Sequence, residues 1–193
     1  MSVKRYAVGG TDGWLNVKRE PSGTVVAIPE YLRIDHERTS EGRDHFRPTE
    51  GVERGKAFSV KAGNLKAGDP GYRPPASLQF DLRRGLLVFP GGQVRAITSA
   101  RNPIAVGQHP IALPDFPHDA GSAYMSHSPY AKTWFYLGQG HAVPGRDDRY
   151  LHPGRVSEGC ITVEPADWTW LYRYLILCRS GDGATLGTVT VVR

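Results

Sequence analysis

Residues 78–92 read LQFDLRRGLLVFPGG, and this stretch decides the fold class. Apolar and polar residues alternate over residues 78–82, as they do in a strand with one buried face and one solvated face. The sequence RRG at 83–85 then turns the chain, residues 86–89 return it, and PGG at 90–92 turns it again. Two short strands joined by tight turns predict a hairpin, and therefore a domain built mainly from β-hairpins.

The same kind of pattern continues towards the C-terminus. Further strand candidates are residues 94–99, 111–113, 133–137, 149–152 and 188–192. One helix interrupts them, because Pro165 suits a first helical position and an i, i+3, i+4 spacing follows it. The apolar face of this helix comprises Trp168, Leu171, Tyr172, Leu175 and Ile176, and we expect Gly181 to close the helix. The prediction is a mainly β fold (β-rich α+β) with one prominent helix after Cys160.

The first 75 residues are less regular. Residues 14–18 and 24–28 predict two strands joined by the turn at 20–23, whereas the polar stretch 35–55 predicts a loop. Residues 68–75 read GDPGYRPP, which is dense in residues that break strands and helices. We therefore predict an N-terminal β/loop extension of unknown role at 1–75 and a catalytic domain at 76–193.

Composition narrows the choice of function. The chain has 193 residues and a net charge of +5, but its basic residues are scattered without interleaved aromatics, so we expect no nucleic-acid partner. No apolar run is long enough to span a bilayer, so we expect no membrane insertion. No apolar stretch follows the N-terminus, so no secretory signal is visible. The protein is then cytoplasmic, or reaches the periplasm or cell wall by a specialised route, or has had a leader removed.

The segment 149–163, RYLHPGRVSEGCITV, carries the chemistry. A thiol attacks a carbonyl as thiolate and needs a base nearby, and His152 ends a strand eight residues before Cys160. Gly159 lets the backbone approach a substrate closely, and the N–H groups of Gly159 and Cys160 could stabilise an oxyanion. We predict Cys160 as nucleophile, His152 as general base and Gly159 as part of the site.

Five other residues are candidates, and four of them have two open interpretations. Ser157 could anchor the loop through its hydroxyl or be an ordinary turn residue. Arg155 could pair with a substrate carboxylate or be a solvated charge. His118 and His127 could line the cleft or belong to surface turns. His141 is the alternative base.

The two cysteines occupy different settings. Cys160 follows a glycine in a turn and is predicted to be reactive, whereas Cys178 lies in an apolar helical stretch and is predicted to be buried, although one disulfide between them is the alternative. Cys160, His152 and His141 could also supply three zinc ligands, but no C-x-x-C pair or clear carboxylate ligand accompanies them. We predict no metal and no cofactor.

The stretch Ser157-Glu158-Gly159-Cys160-Ile161 resembles the Ser/Thr-His-Gly-Cys-x signature of L,D-transpeptidases, the YkuD-type domain. The likeness extends over residues 76–193: the hairpin at 78–92, the strand at 103–111, the pair at 134–135 and the helix that begins at residue 165 all fit the family. The resemblance implies a β-sandwich or barrel with a catalytic Cys–His pair. It also implies peptidoglycan stem peptides that contain a D-amino acid as substrates.

Two departures from the family pattern bear on the site. Glu158 stands where the family has histidine, and an acid there is expected to raise the thiol pKa unless it points away. The family's catalytic histidine lies further upstream, about where His141 sits. We favour His152, because it ends an apolar strand while His141 lies in a Gly/Pro/Asp-rich loop. The short Cys–His spacing is similar to a subgroup that includes interbacterial toxins delivered without a signal peptide, which implies an immunity or delivery protein as partner.

Three functions follow from these observations. The first is an acyl-transfer enzyme in which the acyl group passes from Cys160 to an amine, as in an L,D-transpeptidase, or to water, as in a carboxypeptidase or endopeptidase. The second is a non-catalytic cell-wall-binding module of the same fold, with the thiol disabled by Glu158. The third is a cysteine hydrolase that acts on a different peptide.

Overall fold

The computed structural model describes residues 3–139 and 148–193. The strands are β1 (Val3–Ala7), β2 (Trp14–Arg19), β3 (Val25–Pro29), β4 (Arg33–Ser40), β5 (Arg43–Pro48), β6 (Phe58–Lys61), β7 (Leu65–Ala67), β8 (Ala76–Asp81), β9 (Leu86–Phe89), β10 (Gly92–Ile97), β11 (Gly107–Ala112), β12 (Phe135–Gln139), β13 (Asp148–Pro153), β14 (Ile161–Val163) and β15 (Thr185–Val192). The helices are α1 (Trp168–Leu175) and two short 3-10 turns at Asp119–Tyr124 and Pro165–Asp167. No helix in the described ranges is both long and apolar enough to cross a membrane.

Strands β1–β7 form one sheet in the order β3-β2-β6-β5-β4-β1-β7. The alternating pattern of these strands buries one set of apolar side chains, and Phe46 stacks on Phe58 at 5.9 Å between ring centroids. The N-terminal segment therefore has a hydrophobic core of its own. That core comprises Ala7, Leu15, Val17, Ile28, Leu32, Ile34, Phe46, Phe58, Val60 and Leu65.

The prediction of a loop at residues 35–55 is wrong. Most of this stretch forms the antiparallel hairpin of β4 and β5, with Ile34 opposite Pro48. The strand pattern is disguised because two inward positions hold polar residues, His36 and Asp44, whose Nε2 and Oδ1 atoms lie 3.1 Å apart. Inward positions of a strand usually hold apolar residues. Here a buried polar pair occupies them, and the two side chains satisfy each other's hydrogen bonds.

Strands β8–β15 form a second sheet in the order β11-β15-β8-β9-β10-β14-β13-β12. Its two end strands, β11 and β12, also lie next to each other, so the sheet is a nearly closed barrel. Most neighbouring strands are antiparallel, but β13 pairs with β14 and β15 pairs with β8 in parallel. The predicted mainly β fold with one helix after Cys160 is confirmed.

Helix α1 packs one face into the barrel core. The five apolar side chains predicted for this face are all buried, and Pro165 opens the 3-10 turn that leads into the helix. Tyr172 stacks on Tyr130 with ring centroids 4.1 Å apart. The helix ends at Leu175, so Gly181 does not close it, contrary to our expectation.

Buried polar contacts join the N-terminal sheet to the barrel. The Tyr172 hydroxyl donates to Glu30 Oε1 at 2.8 Å, and Arg179 Nε donates to Glu50 Oε1 at 2.9 Å. Arg179 also donates to the Tyr31 carbonyl at 2.8 Å. Charged groups lose their hydration when they are buried, so a buried polar contact is stable only if its donors have acceptors. The donors named here all have one.

Candidate functional site

The candidate site lies where β13 and β14 run side by side. Their parallel register sets Leu151 opposite Ile161 and His152 opposite Thr162. Leu151 and Ile161 are fully buried in the barrel core. Side chains alternate along a strand, so His152 and Thr162 project together from the other face of the sheet.

Cys160 immediately precedes β14. Its Sγ accepts the Tyr150 N–H at 3.3 Å. Burial raises the pKa of the Cys160 thiol, the Tyr150 N–H and the Arg149 charge oppose that rise, and Glu158 adds to it. The protonated thiol is therefore favoured, and Glu158 acts in the direction that the sequence predicted, although burial is the larger cause.

The loop before Cys160 is held by a local hydrogen-bond pair. The Ser157 hydroxyl donates to the Cys160 carbonyl at 2.9 Å. The Gly159 N–H lies 3.4 Å from Ser157 Oγ. Ser157 therefore anchors the loop. The Gly159 amide is directed at this hydroxyl, which differs from the oxyanion role suggested by the sequence.

A glycine is required at position 159 by close packing. Its φ is +121°, and a Cβ there would lie 2.7 Å from the Arg149 guanidinium carbon and 2.7 Å from the Asn102 carbonyl oxygen. Arg149 is only 2% exposed, and its Nη2 donates to Asn102 Oδ1 at 3.1 Å. The absent side chain thus lets a buried guanidinium pack beneath the loop that carries Cys160.

His152 is held in one tautomer by its neighbours. Its Nδ1 lies 2.9 Å from the Pro153 carbonyl oxygen, and its Nε2 lies 3.2 Å from Thr162 Oγ1. A carbonyl oxygen only accepts, so Nδ1 carries the hydrogen and Nε2 accepts from the Thr162 hydroxyl. Burial lowers the pKa of His152 to about 4, so the ring is neutral at pH 7.

Among the described residues, no hydrogen bond joins the Cys160 thiol to the His152 ring. Both ring nitrogens of His152 contact other groups, and Cys160 stands two residues before the His152 partner Thr162. Two residues of strand correspond to about 7 Å along the chain. A direct hydrogen bond between thiol and imidazole is thus not part of this conformation.

Stacked rings form a wall beside His152, which we call the aromatic wall: Phe116, His118, Trp134 and Tyr150. Centroid distances are 4.3 Å from His152 to Trp134, 4.5 Å from Trp134 to His118 and 4.6 Å from His118 to Phe116. Tyr150 meets Trp134 edge-on at 5.8 Å. The wall fixes the plane of the imidazole, because offset stacking restricts ring rotation.

The other predicted residues have different positions. His118 belongs to the aromatic wall, where Asp115 Oδ1 lies 3.0 Å from its Nε2. Arg155 is exposed, lies 4.0 Å from Glu164 and lines a groove of about 310 Å³ with Thr162. His127 is exposed on the turn after Tyr124. His141, the alternative base, lies outside the described residues.

The two cysteines are both free, so the disulfide alternative is wrong. Cys178 is fully buried. Within residues 3–139 and 148–193, no group of three or more His, Cys, Asp or Glu side chains could hold a metal ion.

The sequence did not predict three residues that contact the candidate site: Arg149, Tyr150 and Thr162. All three lie within the segment 149–163. Their contacts depend on the register of β13 with β14 and on the packing of the loop before Cys160, which the sequence does not reveal. One signal was available, because Arg149 stands two residues before the inward-facing Leu151 and so shares its side of the strand.

Comparison with known proteins finds only distant structural likeness. No family model matches the sequence, and no curated protein matches it. The crystal structure of Mycobacterium tuberculosis L,D-transpeptidase 1 is similar, with 11% identity, coverage of 83% of this chain and 90% of that chain, and a TM-score of 0.38. An L,D-transpeptidase from Mycobacterium smegmatis is also similar, with 14% identity, coverage of 98% and 82%, and a TM-score of 0.30.

Proposed function

We propose that this protein is a cysteine-nucleophile acyl-transfer enzyme of the L,D-transpeptidase type, acting on peptidoglycan stem peptides. The observation that carries the proposal is the parallel pairing of β13 with β14, which sets a neutral His152 opposite Thr162, two residues after the half-buried Cys160. The orientation of His152 by a backbone carbonyl is the arrangement expected of a base held by a third group. The substrate class rests on the resemblance of residues 157–161 to the family signature.

The proposed reaction is acyl transfer through a thioester. Cys160 Sγ attacks the carbonyl of an L-centre in the stem peptide, and the bond to the nitrogen of the following D-residue breaks. His152 Nε2 takes the thiol proton and gives it to the leaving amine. The acyl group then passes to an amine in transpeptidation or to water in hydrolysis.

This mechanism requires one local change at the base. His152 Nε2 must exchange Thr162 Oγ1 for the Cys160 thiol, either by rotating its side chain or through a bridging water. Replacing Thr162 by valine keeps the shape of the side chain and frees Nε2. The expected result of Thr162→Val is faster acylation with the same products, measured in a single-turnover assay.

The test is intact-mass analysis after incubation with purified muropeptides. Wild type should convert them, Cys160→Ala should not, and Cys178→Ala is the matched control because its thiol is fully buried. Product masses separate hydrolysis from exchange and cross-linking. Full conversion by Cys160→Ala would end the proposal.

The base is tested separately, because His141 is the alternative. His152→Ala and His141→Ala should be compared for the rate of acylation at saturating substrate. We expect His152→Ala to lower the rate of acylation by about 100-fold or more, since a positioned base contributes about that much. A large loss confined to His141→Ala would transfer the role to that residue.

A second candidate is a non-catalytic cell-wall-binding module. It is favoured by the same geometry: the raised pKa of the Cys160 thiol and the engagement of both His152 nitrogens by other groups. Sedimentation with purified sacculi discriminates the two. Equal binding by wild type and Cys160→Ala, with no muropeptide converted by either, would support the module and oppose the enzyme.

A further inference from the structure

A groove rimmed by arginines runs along β10 towards β9, and its residues Arg95, Ala96 and Ile97 also line the neighbouring groove that holds Glu164. Its two parts measure about 550 Å³ and 580 Å³ and share Arg84, Ala96 and Ile97. Arg83 lines the first part and Arg95 the second. We call this feature the arginine groove.

No ion pair between described residues neutralises Arg83, Arg84 or Arg95 of the arginine groove. Arg83, Arg84 and Arg95 are all exposed, and no salt bridge joins any of them to an acidic side chain in the described part of the chain. The nearby Asp81 carboxylate instead accepts the backbone N–H groups of Arg83 and Arg84 at 2.9 and 3.0 Å. The three guanidinium groups are therefore open to solvent, and Glu164 is an acidic residue that shares a neighbouring groove with Arg95. Exposed guanidinium groups favour a carboxylate or phosphate partner.

The floor of the arginine groove is apolar. Ile97 is 47% exposed there, and Leu82 and Pro103 line the same part. Phe80 is the one aromatic side chain among the lining residues, and it is only 1% exposed. A single-stranded nucleic acid binds through stacking on exposed rings as well as through charge, and this floor offers no ring.

The geometry of β10 points to an extended partner. Arg95 and Ile97 are exposed on the same face of the strand, separated by two residues. That separation is about 7 Å, which is also the repeat of an extended peptide along one face. A carboxylate opposite Arg95 and an apolar side chain opposite Ile97 would then match in register.

We propose that the arginine groove binds an extended acidic segment of another polypeptide, in which carboxylates and apolar side chains recur at every second residue. The carboxylates pair with Arg84 and Arg95, and an apolar side chain covers Ile97. Ile97 lies opposite Thr162, so the arginine groove adjoins the face that holds His152. Cys160 does not line the groove, and the binding proposal does not depend on the reactivity of its thiol.

Fluorescence anisotropy tests the proposal with a labelled octapeptide of sequence Glu-Ser-Leu-Ser-Glu-Ser-Leu-Ser. Wild type and Cys160→Ser should bind this peptide equally, whether or not Cys160 is a nucleophile. Arg84→Glu should raise the Kd by about tenfold or more, since it removes one charge-assisted pair and adds repulsion. Lys66→Glu, an equal charge change at an exposed site on β7, should change the Kd less than twofold.

Further probes separate the contribution of charge from that of the groove itself. Replacing both leucines of the peptide by serine, or Ile97 by serine in the protein, should also weaken binding. Arg95→Glu serves as a second charge variant should Arg84→Glu fail to fold, as judged by its melting temperature. Unchanged affinity for Arg84→Glu and Arg95→Glu, equal binding of the serine peptide, or tighter binding of a ten-residue oligothymidine would each overturn the proposal.

Discussion

Burial of His152 predicts a loss of stability in mild acid. Its side chain is 8% exposed, and burial is the main reason that its pKa falls from 6.5 to about 4, with the charge of His118 adding to the effect. A folded-state pKa below the unfolded value means that the unfolded chain binds the proton more readily. Stability from this group is therefore complete above pH 6.5 and is lost as the pH falls to 4.

The magnitude follows from the two pKa values. Their difference, at about 1.36 kcal/mol per pKa unit, corresponds to about 3 kcal/mol in the free energy of unfolding. About 2 kcal/mol of that should already be lost at pH 5, above the range where most carboxylates titrate. Glu30 acts in the opposite direction, because burial raises its pKa and so stabilises the folded state in acid.

Urea unfolding at pH 7.5 and pH 5 measures this effect in wild type and His152→Gln. Glutamine keeps a hydrogen-bonding side chain but does not titrate, so the variant should lose about 2 kcal/mol less than wild type between these pH values. The contribution of Glu30 is common to both proteins and cancels. His127→Gln, at an exposed site, is the control for removing a histidine. Equal pH dependence in wild type and His152→Gln would refute the reasoning, as would an NMR titration of His152 near pH 6.5.

Three other perturbations have defined outcomes. Arg179→Met should lower the free energy of unfolding by about 3–5 kcal/mol in urea melts, because it removes the buried guanidinium that contacts Glu50 and leaves that carboxylate with Arg33 alone. Adding Glu50→Gln should recover part of that loss. Gly159→Ala should cost about 2 kcal/mol and disturb the loop, since the new Cβ meets the Arg149 guanidinium; a crystal structure with that guanidinium unmoved would contradict this. Burial raises the pKa of the Cys160 thiol, so at pH 7.5 iodoacetamide should alkylate it more slowly than it alkylates free cysteine. The rate, measured by peptide mass mapping, should continue to rise at higher pH. A rate equal to that of free cysteine would show an accessible, unperturbed thiol.

The barrel was predictable where its strands follow the simple rule of alternation. Residues 78–82 and 86–89 lie within or overlap β8 and β9, because each strand has one buried face and one solvated face. The helix was predictable for a similar reason, since its apolar residues recur at the helical period and all are buried. The rule failed for residues 35–55, because His36 and Asp44 hydrogen-bond to each other inside the sheet. Two polar residues therefore interrupt the alternation of apolar and polar positions.

The candidate site was predictable in its residue types more than in its contacts. The sequence indicated a glycine, a cysteine and a strand-end histidine in one short segment. It did not indicate that Thr162 occupies the Nε2 atom of His152, because that contact depends on the register of two parallel strands. Nor did it indicate the aromatic wall, whose rings come from segments as far apart as Phe116 and Tyr150.

Local patterns in the sequence were enough to predict the mainly β class, the amphipathic helix and the segment that contains both a thiol and an imidazole. These properties depend on local periodicity and turn residues, which a chain carries wherever it folds. Folding adds three properties that no local pattern predicts: the closure of the barrel, the buried guanidinium of Arg149 beneath Gly159 and the neutral state of His152. Those properties depend on burial and on partners far apart in the chain, and burial exists only once the chain has folded.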